Sequence, residues 1–164
     1  MIKLYIKQKV FSWRSRFTIK DEYEQDRYFV EGEFFTFGKN LHIYDALGAE
    51  IALIQQKAFS FRPRFFVYIH DRLVAEIVKE YTFLRPRYTI LGLDWKIEGD
   101  FWAHDYIITK FREPVVRVCK EWLSWGDSYA IMIEHDDDTI AALAVVLAID
   151  CVMGQQAVAA SAAT

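Results

Sequence analysis

Residues 139 to 153 read TIAALAVVLAIDCVM. From Ile140 to Ile149 the run is apolar without a break. Asp136, Asp137 and Asp138 precede it and Gly154 follows. Acids at the start and a glycine just past the end are helix boundary signals, and Asp138 is the expected N-cap. A helix apolar on every face has no side to give to water, so protein or lipid must wrap it. A bilayer crossing needs about 20 apolar residues. Asp150 interrupts this run well short of that. The expectation is a helix buried inside the protein.

The 164 residues suit one domain with a sizeable core. The aromatic content of 16%, with 13 Phe and 9 Tyr, favours strands. A net charge of −3 gives no reason to expect a nucleic-acid partner. Residues 1–10, MIKLYIKQKV, alternate apolar and polar and lack the apolar core of a signal peptide. Cys119 and Cys151 make no disulfide framework, and the expectation is two reduced thiols in a cytoplasmic protein. The domain is expected over residues 1–154, with 155–164, QQAVAASAAT, as a loose tail.

Upstream of the helix the chain repeats. FSWRSRF begins at Phe11, FTFGKNL at Phe35, FSFRPRF at Phe59 and TFLRPRY at Thr82, at spacings of 24, 24 and 23. Fainter copies, DFWAHDY and LSWGDSY, begin at Asp100 and Leu123. Each unit reads as a β-hairpin. Phe59, Phe61, Pro63, Phe65, Val67 and Ile69 fall on one face of a strand, expected to be the core face. His70-Asp71 and Asp45-Ala46-Leu47-Gly48 supply turn chemistry, and the polar run 20–27 supplies another reversal. Pro114 is read as ending a loop before the strand 115–122.

Six hairpins make about twelve strands in an antiparallel meander, and closure would remove its exposed edges. Twelve strands ~4.8 Å apart and tilted by ~40° enclose roughly 24 Å between backbone walls. A helix ~10–12 Å across leaves about 6 Å on each side, enough for one layer of Phe, Leu and Val. The expected fold is mainly β: a closed antiparallel barrel of serial hairpins enclosing a C-terminal hydrophobic helix.

The FSxRPRF-type motifs, the turn DALGAE, the segment IEGDFWAHDY and the closing apolar helix resemble the LURP-one-related family. That family belongs to the tubby C-terminal-like superfamily, which also contains the phospholipid scramblases. The resemblance runs from about Val10 to Met153 and implies a twelve-stranded barrel around a central helix. Tubby relatives bind phosphoinositides, and scramblase relatives act on phospholipids with calcium. No lipid-binding residue of tubby maps onto this sequence by motif.

Arg14, Arg16, Arg62, Arg64, Arg85 and Arg87 recur at equivalent positions, opposite the apolar set, and are the candidate lipid-binding residues. An outward row of arginines suits phosphate headgroups. The same row also suits a ladder of ion pairs, with Glu76 and Glu80 as partners. The run His135 to Asp138 reads as helix N-terminal charge rather than a calcium loop, because its acids are contiguous. His104-Asp105 reads as loop or turn, and Cys119 as a buried, inert thiol. Asp150 is placed at the barrel mouth in water, with a buried, paired acid as the alternative.

No catalytic motif is present, and no metal or cofactor is expected. The expected function is a non-catalytic binding or scaffold domain, peripheral to a membrane and reading anionic phospholipid or phosphoinositide headgroups. The alternative is a soluble protein-interaction or signalling domain without lipid affinity. A ligand carried in the lumen fits least, because the helix fills that space.

Overall fold

The computed structural model describes residues 1–7, 16–35, 38–82, 87–123 and 126–162 of the chain. Twelve antiparallel strands form a nearly closed barrel. They are β1 (Ile2–Lys7), β2 (Arg16–Asp21), β3 (Asp26–Phe35), β4 (Gly38–Asp45), β5 (Glu50–Gln56) and β6 (Arg64–Ile69), followed by β7 (Arg72–Glu80), β8 (Arg87–Leu91), β9 (Trp95–Asp100), β10 (Asp105–Lys110), β11 (Glu113–Leu123) and β12 (Gly126–Ile133). A 3-10 turn, Asp136–Asp138, leads into the helix α1 (Thr139–Ala162). The pairing order is β8-β7-β6-β5-β4-β3-β2-β1-β12-β11-β10-β9. β12 therefore returns to β1, and the seam of the barrel lies between β8 and β9.

Period-two alternation sets the inner wall. Across adjacent strands the inward residues meet in rows. Leu41 faces Ile54, Ile54 faces Val67, and Val67 faces Ala75. On the far side Leu4 faces Ile131 and Ile131 faces Val118. All are buried. Into this wall packs α1, whose residues from Ala142 to Ile149 are 0% exposed on every face. Wrapping by strands answers the demand of a helix with no polar side.

The reversals follow local chemistry. Asp45 Oδ1 accepts from Leu47 N and Ala49 N, both at 2.9 Å, while Gly48 adopts φ +85°. His70 and Asp71 turn with φ of +46° and +61°. Both turns lie where the sequence places them.

Four features depart from the sequence expectation. β6 starts at Arg64, so Phe59 and Phe61 lie in the preceding loop, 90% and 89% exposed, rather than in the core. Phe59 has φ +52°, which breaks the extended run that alternation requires. Pro114 lies inside β11, where it faces Thr109 at a register shift that tolerates a residue without an N–H. The turn is Phe111-Arg112, with φ of +51° and +75°. Thirdly, α1 continues past Gly154 to Ala162, so the described part of the expected tail is helical. One glycine costs a helix only about 1 kcal/mol, and the Ala and Gln that follow are helix formers. Lastly, Cys119 is half-buried on β11, whereas Cys151 is fully buried on α1, and both are free.

The central position of α1 predicts a steep response to charge. Leu143 and Leu147 are both 0% exposed. Leu143→Asp or Leu147→Asp buries a carboxylate without a partner, at a cost of several kcal/mol. Thermal melts are expected to show a Tm lowered by roughly 6–12 °C for a loss on the order of 3 kcal/mol, or no cooperative transition. A melt matching the wild type would place these residues outside the core.

Candidate functional site

The meander gives the barrel two unlike ends. Connections β1–β2, β3–β4, β5–β6, β7–β8, β9–β10 and β11–β12 all leave from one end, here the motif end, because every repeated motif falls on them. The remaining connections leave from the other end. That opposite end is acidic: it carries Asp21, Glu22, Glu24, Asp45, Asp71, Asp94 and the three acids before α1.

At the motif end the arginines meet carboxylates. Arg16 Nε lies 2.8 Å from Glu31 Oε1 across the β2–β3 pair. Arg62 Nη1 lies 2.5 Å from Glu80 Oε2, and Arg64 Nη1 lies 2.5 Å from Glu76 Oε1. Arg87 sits directly opposite Glu80 on β8. Glu80 also accepts from Thr89 Oγ1 at 3.1 Å. Arg14 and Arg85 lie outside the described residues. The arrangement contains the ion-pair ladder. Such exposed pairs are worth about 0–1 kcal/mol each, so they position the guanidinium groups without sequestering them.

The β5–β6 loop is pinned at its base and open at its tip. Lys57 N donates to Arg64 O at 2.9 Å, and Lys79 N donates to Pro63 O at 3.0 Å. Tyr81, just past β7, donates its hydroxyl to Phe61 O at 2.5 Å and meets the Phe61 ring edge-on at 5.8 Å. Phe59, Phe61 and Tyr81 are nonetheless 90%, 89% and 63% exposed. Trp102, in the β9–β10 connection at the same end, is also exposed.

Beneath this end lies a buried polar cluster. Asp150, placed by the sequence at the mouth, is 4% exposed, and the alternative of a buried, paired acid is the one observed. Tyr129 donates its hydroxyl to Asp150 Oδ2. His104 Nε2 lies 3.4 Å from Asp150 Oδ1, and the His104 ring stacks on Tyr129 at 4.4 Å. Tyr88 and Tyr106 flank Phe101, at ring distances of 4.7 and 5.3 Å, and both tyrosine hydroxyls are buried without a hydrogen-bond partner among the described residues. Burial pushes Tyr88, Tyr106 and Tyr129 above the ordinary tyrosine value, and the nearby Asp150 carboxylate pushes them further. His104 occupies a turn with φ +50°, as its sequence context suggests. Its contact with Asp150 was not readable in advance, because the two residues come from distant segments. The one available signal was an acid closing an apolar run.

Outside the cluster, the β8–β9 seam forms a cleft of about 690 Å³. Tyr88, Ile90, Trp95 and Phe101 lie along its inner side. No described group of three or more His, Cys, Asp or Glu is arranged to hold a metal ion. No described helix is long and apolar enough to cross a membrane.

The cluster predicts unequal effects of equal deletions. Tyr129→Phe removes the donor to a buried carboxylate and should cost about 1.5–3 kcal/mol, whereas Tyr106→Phe removes an unpaired hydroxyl and should be near neutral or stabilising. Denaturant titration compares the two, and equal losses would show that the cluster is misassigned. The raised tyrosines also set an alkaline limit. Their contribution is complete below the ordinary value of 10.0 and is lost as pH rises above it, because the unfolded chain releases those protons first. Phenolate absorbance of these tyrosines should therefore appear together with loss of the fold.

Comparison with known proteins follows the same outline. The family model described as LURP-one-related matches residues 2–150. The chain is 39% identical over 153 residues to the uncharacterised protein YxjI of Bacillus subtilis (strain 168), covering 93% of this chain and 94% of the relative. Among solved structures, the X-ray structure of an Arabidopsis thaliana protein superposes with a TM-score of 0.58 at 16% identity, covering 92% of this chain and 90% of that one. The structural likeness carries the fold. The match from residue 2 to residue 150, with a relative 39% identical along nearly all of both chains, shows that this chain belongs to the LURP-one-related family.

Proposed function

We propose that this protein is a non-catalytic binding domain that associates peripherally with anionic phospholipid through the motif end of its barrel. The observation that carries this reading is the exposure of Phe59, Phe61 and Tyr81 beside Arg62 in neighbouring connections. Aromatic rings of this kind settle at headgroup depth, and arginines beside them meet phosphate oxygens. The opposite, acidic end would be repelled by the same surface, which favours one orientation. The overall charge of −3 does not oppose this, because the acids of the turns are gathered at the far end.

The arginines act here while paired. Arg62 and Arg64 keep one side of each guanidinium on Glu80 and Glu76 and remain partly exposed. A lipid phosphate would compete with these carboxylates for them.

Sedimentation with phosphatidylserine-containing and purely phosphatidylcholine vesicles tests the reading. Binding is expected to the anionic vesicles and to weaken with salt. Phe59→Ser with Phe61→Ser should lower the affinity at least roughly tenfold by removing two inserted rings. Replacing Arg62, Arg64, Arg85 and Arg87 by Gln should lower it by a factor on the order of a thousand, at about 1 kcal/mol or roughly fivefold per cation. Glu76→Gln with Glu80→Gln should tighten binding by freeing the arginines. Equal sedimentation of the wild type and the fourfold Gln variant would remove the lipid reading for this face.

A further inference from the structure

We propose that the seam between β8 and β9 is a docking site for an extended peptide strand carrying an apolar residue at every second position. This rests on the one boundary left unpaired among the described strands and is independent of the lipid reading. The described strands make eleven antiparallel pairings, and β8 and β9 stand at the two ends of the order. They are consecutive in the chain and joined by residues 92–94, which is the arrangement in which strands ordinarily pair.

Each wall is held by its outer neighbour instead. Gly92, at φ +99°, lies so close to β7 that an added Cβ would stand 2.5 Å from Val74 O. Gly99, at φ +136°, lies equally close to β10, where a Cβ would stand 2.5 Å from Asp105 O. Both contacts tie a wall of the seam to its outer neighbour, and neither reaches across the seam. Every second backbone N–H and C=O of each strand then points into the seam.

The cleft between them selects an occupant. Two rows of amides and carbonyls without a ladder partner across the seam are complementary to one thing above all, another extended backbone. The inner side is lined by Tyr88, Ile90, Trp95 and the half-buried Ile97, an apolar floor that alternate residues of a guest would cover. The rim carries both signs of charge, with Arg87 and Lys96 beside Glu80 and Glu98. Such a rim suits polar outward residues of either charge, and it gives no general attraction to a polyanion. β8 has five residues and β9 has six, so a guest of about five residues, ~17 Å long, fills the seam.

Hydrogen exchange on the free protein is the first test. The amides of β8 and β9 that point into the seam are expected to exchange quickly, while those of β8 facing β7 are protected. Protection of both sets would mean that β8 and β9 pair with one another in solution, and would overturn the proposal. The second test uses as its probe a synthetic peptide of roughly seven residues that alternates Val with Thr and Lys, a length set by the strand rise. Saturable binding is expected, with new protection confined to β8 and β9. A scramble with its Val residues contiguous, and a version N-methylated at alternate positions, should each bind at least roughly tenfold more weakly, since one loses the side-chain period and the other the backbone pairing. Ile97→Lys, a substitution on the half-buried seam wall, should weaken the peptide to a similar extent with the melting transition retained. Absence of peptide binding, equal binding of the N-methylated peptide, or seam protection by palmitate in place of peptide would each overturn it, the last by showing an acyl-chain site.

Discussion

The constraint behind the whole structure is that α1 is apolar on every face and must be surrounded. A sheet packed on one side of such a helix would leave the other side in water. The barrel has to close, and it has to be wide enough to hold a helix plus one layer of side chains. Twelve strands meet both conditions, because their enclosed width of roughly 24 Å matches a helix flanked by Phe, Leu and Val. This also explains why the seam at β8 and β9 does not open the fold. The sheet need not be hydrogen-bonded all the way round if Tyr88, Ile90 and Trp95 still seal the core.

A uniformly apolar helix creates a second problem. Nothing in its hydrophobic surface distinguishes one rotation or depth from another. Asp150 supplies that distinction. Its carboxylate meets Tyr129 from β12 and His104 from the β9–β10 connection. A half-turn rotation of α1 would bring the same carboxylate against aliphatic wall residues, with a loss of several kcal/mol. The acid that interrupts the apolar run in the middle of α1 is the residue that fixes how the plug sits. Around this key the hydroxyls of Tyr88 and Tyr106, His104 Nδ1 and Asp150 Oδ1 are buried without a hydrogen-bond partner among the described residues.

The sequence made the helix, the barrel and most turns legible because each follows from local pattern and from one length-scale argument. Asp45 to Gly48 and His70-Asp71 carry their turn chemistry within a few residues. Phe59 and Phe61 were misplaced because alternation continues in the letters while the backbone stops being extended at a positive φ. Pro114 misled in the opposite sense, since a register shift admits proline into β11. The site was less legible than the fold. Arg62 and Arg64 could be seen with their glutamates because the repeat supplies the register. The Asp150 cluster could not, because its members come from β8, β10, β12, a connection and the helix, and no short-range signal links them.

The repeat itself has a physical consequence beyond marking strands. A meander alternates its connections between two ends, so a unit of one hairpin places every copy of its motif at the same end. Any composition written into the motif therefore becomes a property of one face of the barrel. Aromatic residues and Arg-Pro-Arg segments recur in the motif, while most intervening turns carry Asp or Glu, the turn Phe111-Arg112 being an exception. The product is a barrel with a motif end rich in arginine and an opposite end rich in acids, although the net charge is only −3, while exposed aromatics occur at both, Tyr23 and Phe111 at the acidic end. The glutamates at the basic end, on β3 and β7, then serve a structural purpose of their own. They hold neighbouring guanidinium groups that would otherwise repel one another, at a cost in free positive charge that a competing anion must overcome. Polarity of the fold and restraint of its charge thus arise from the same twenty-odd-residue period.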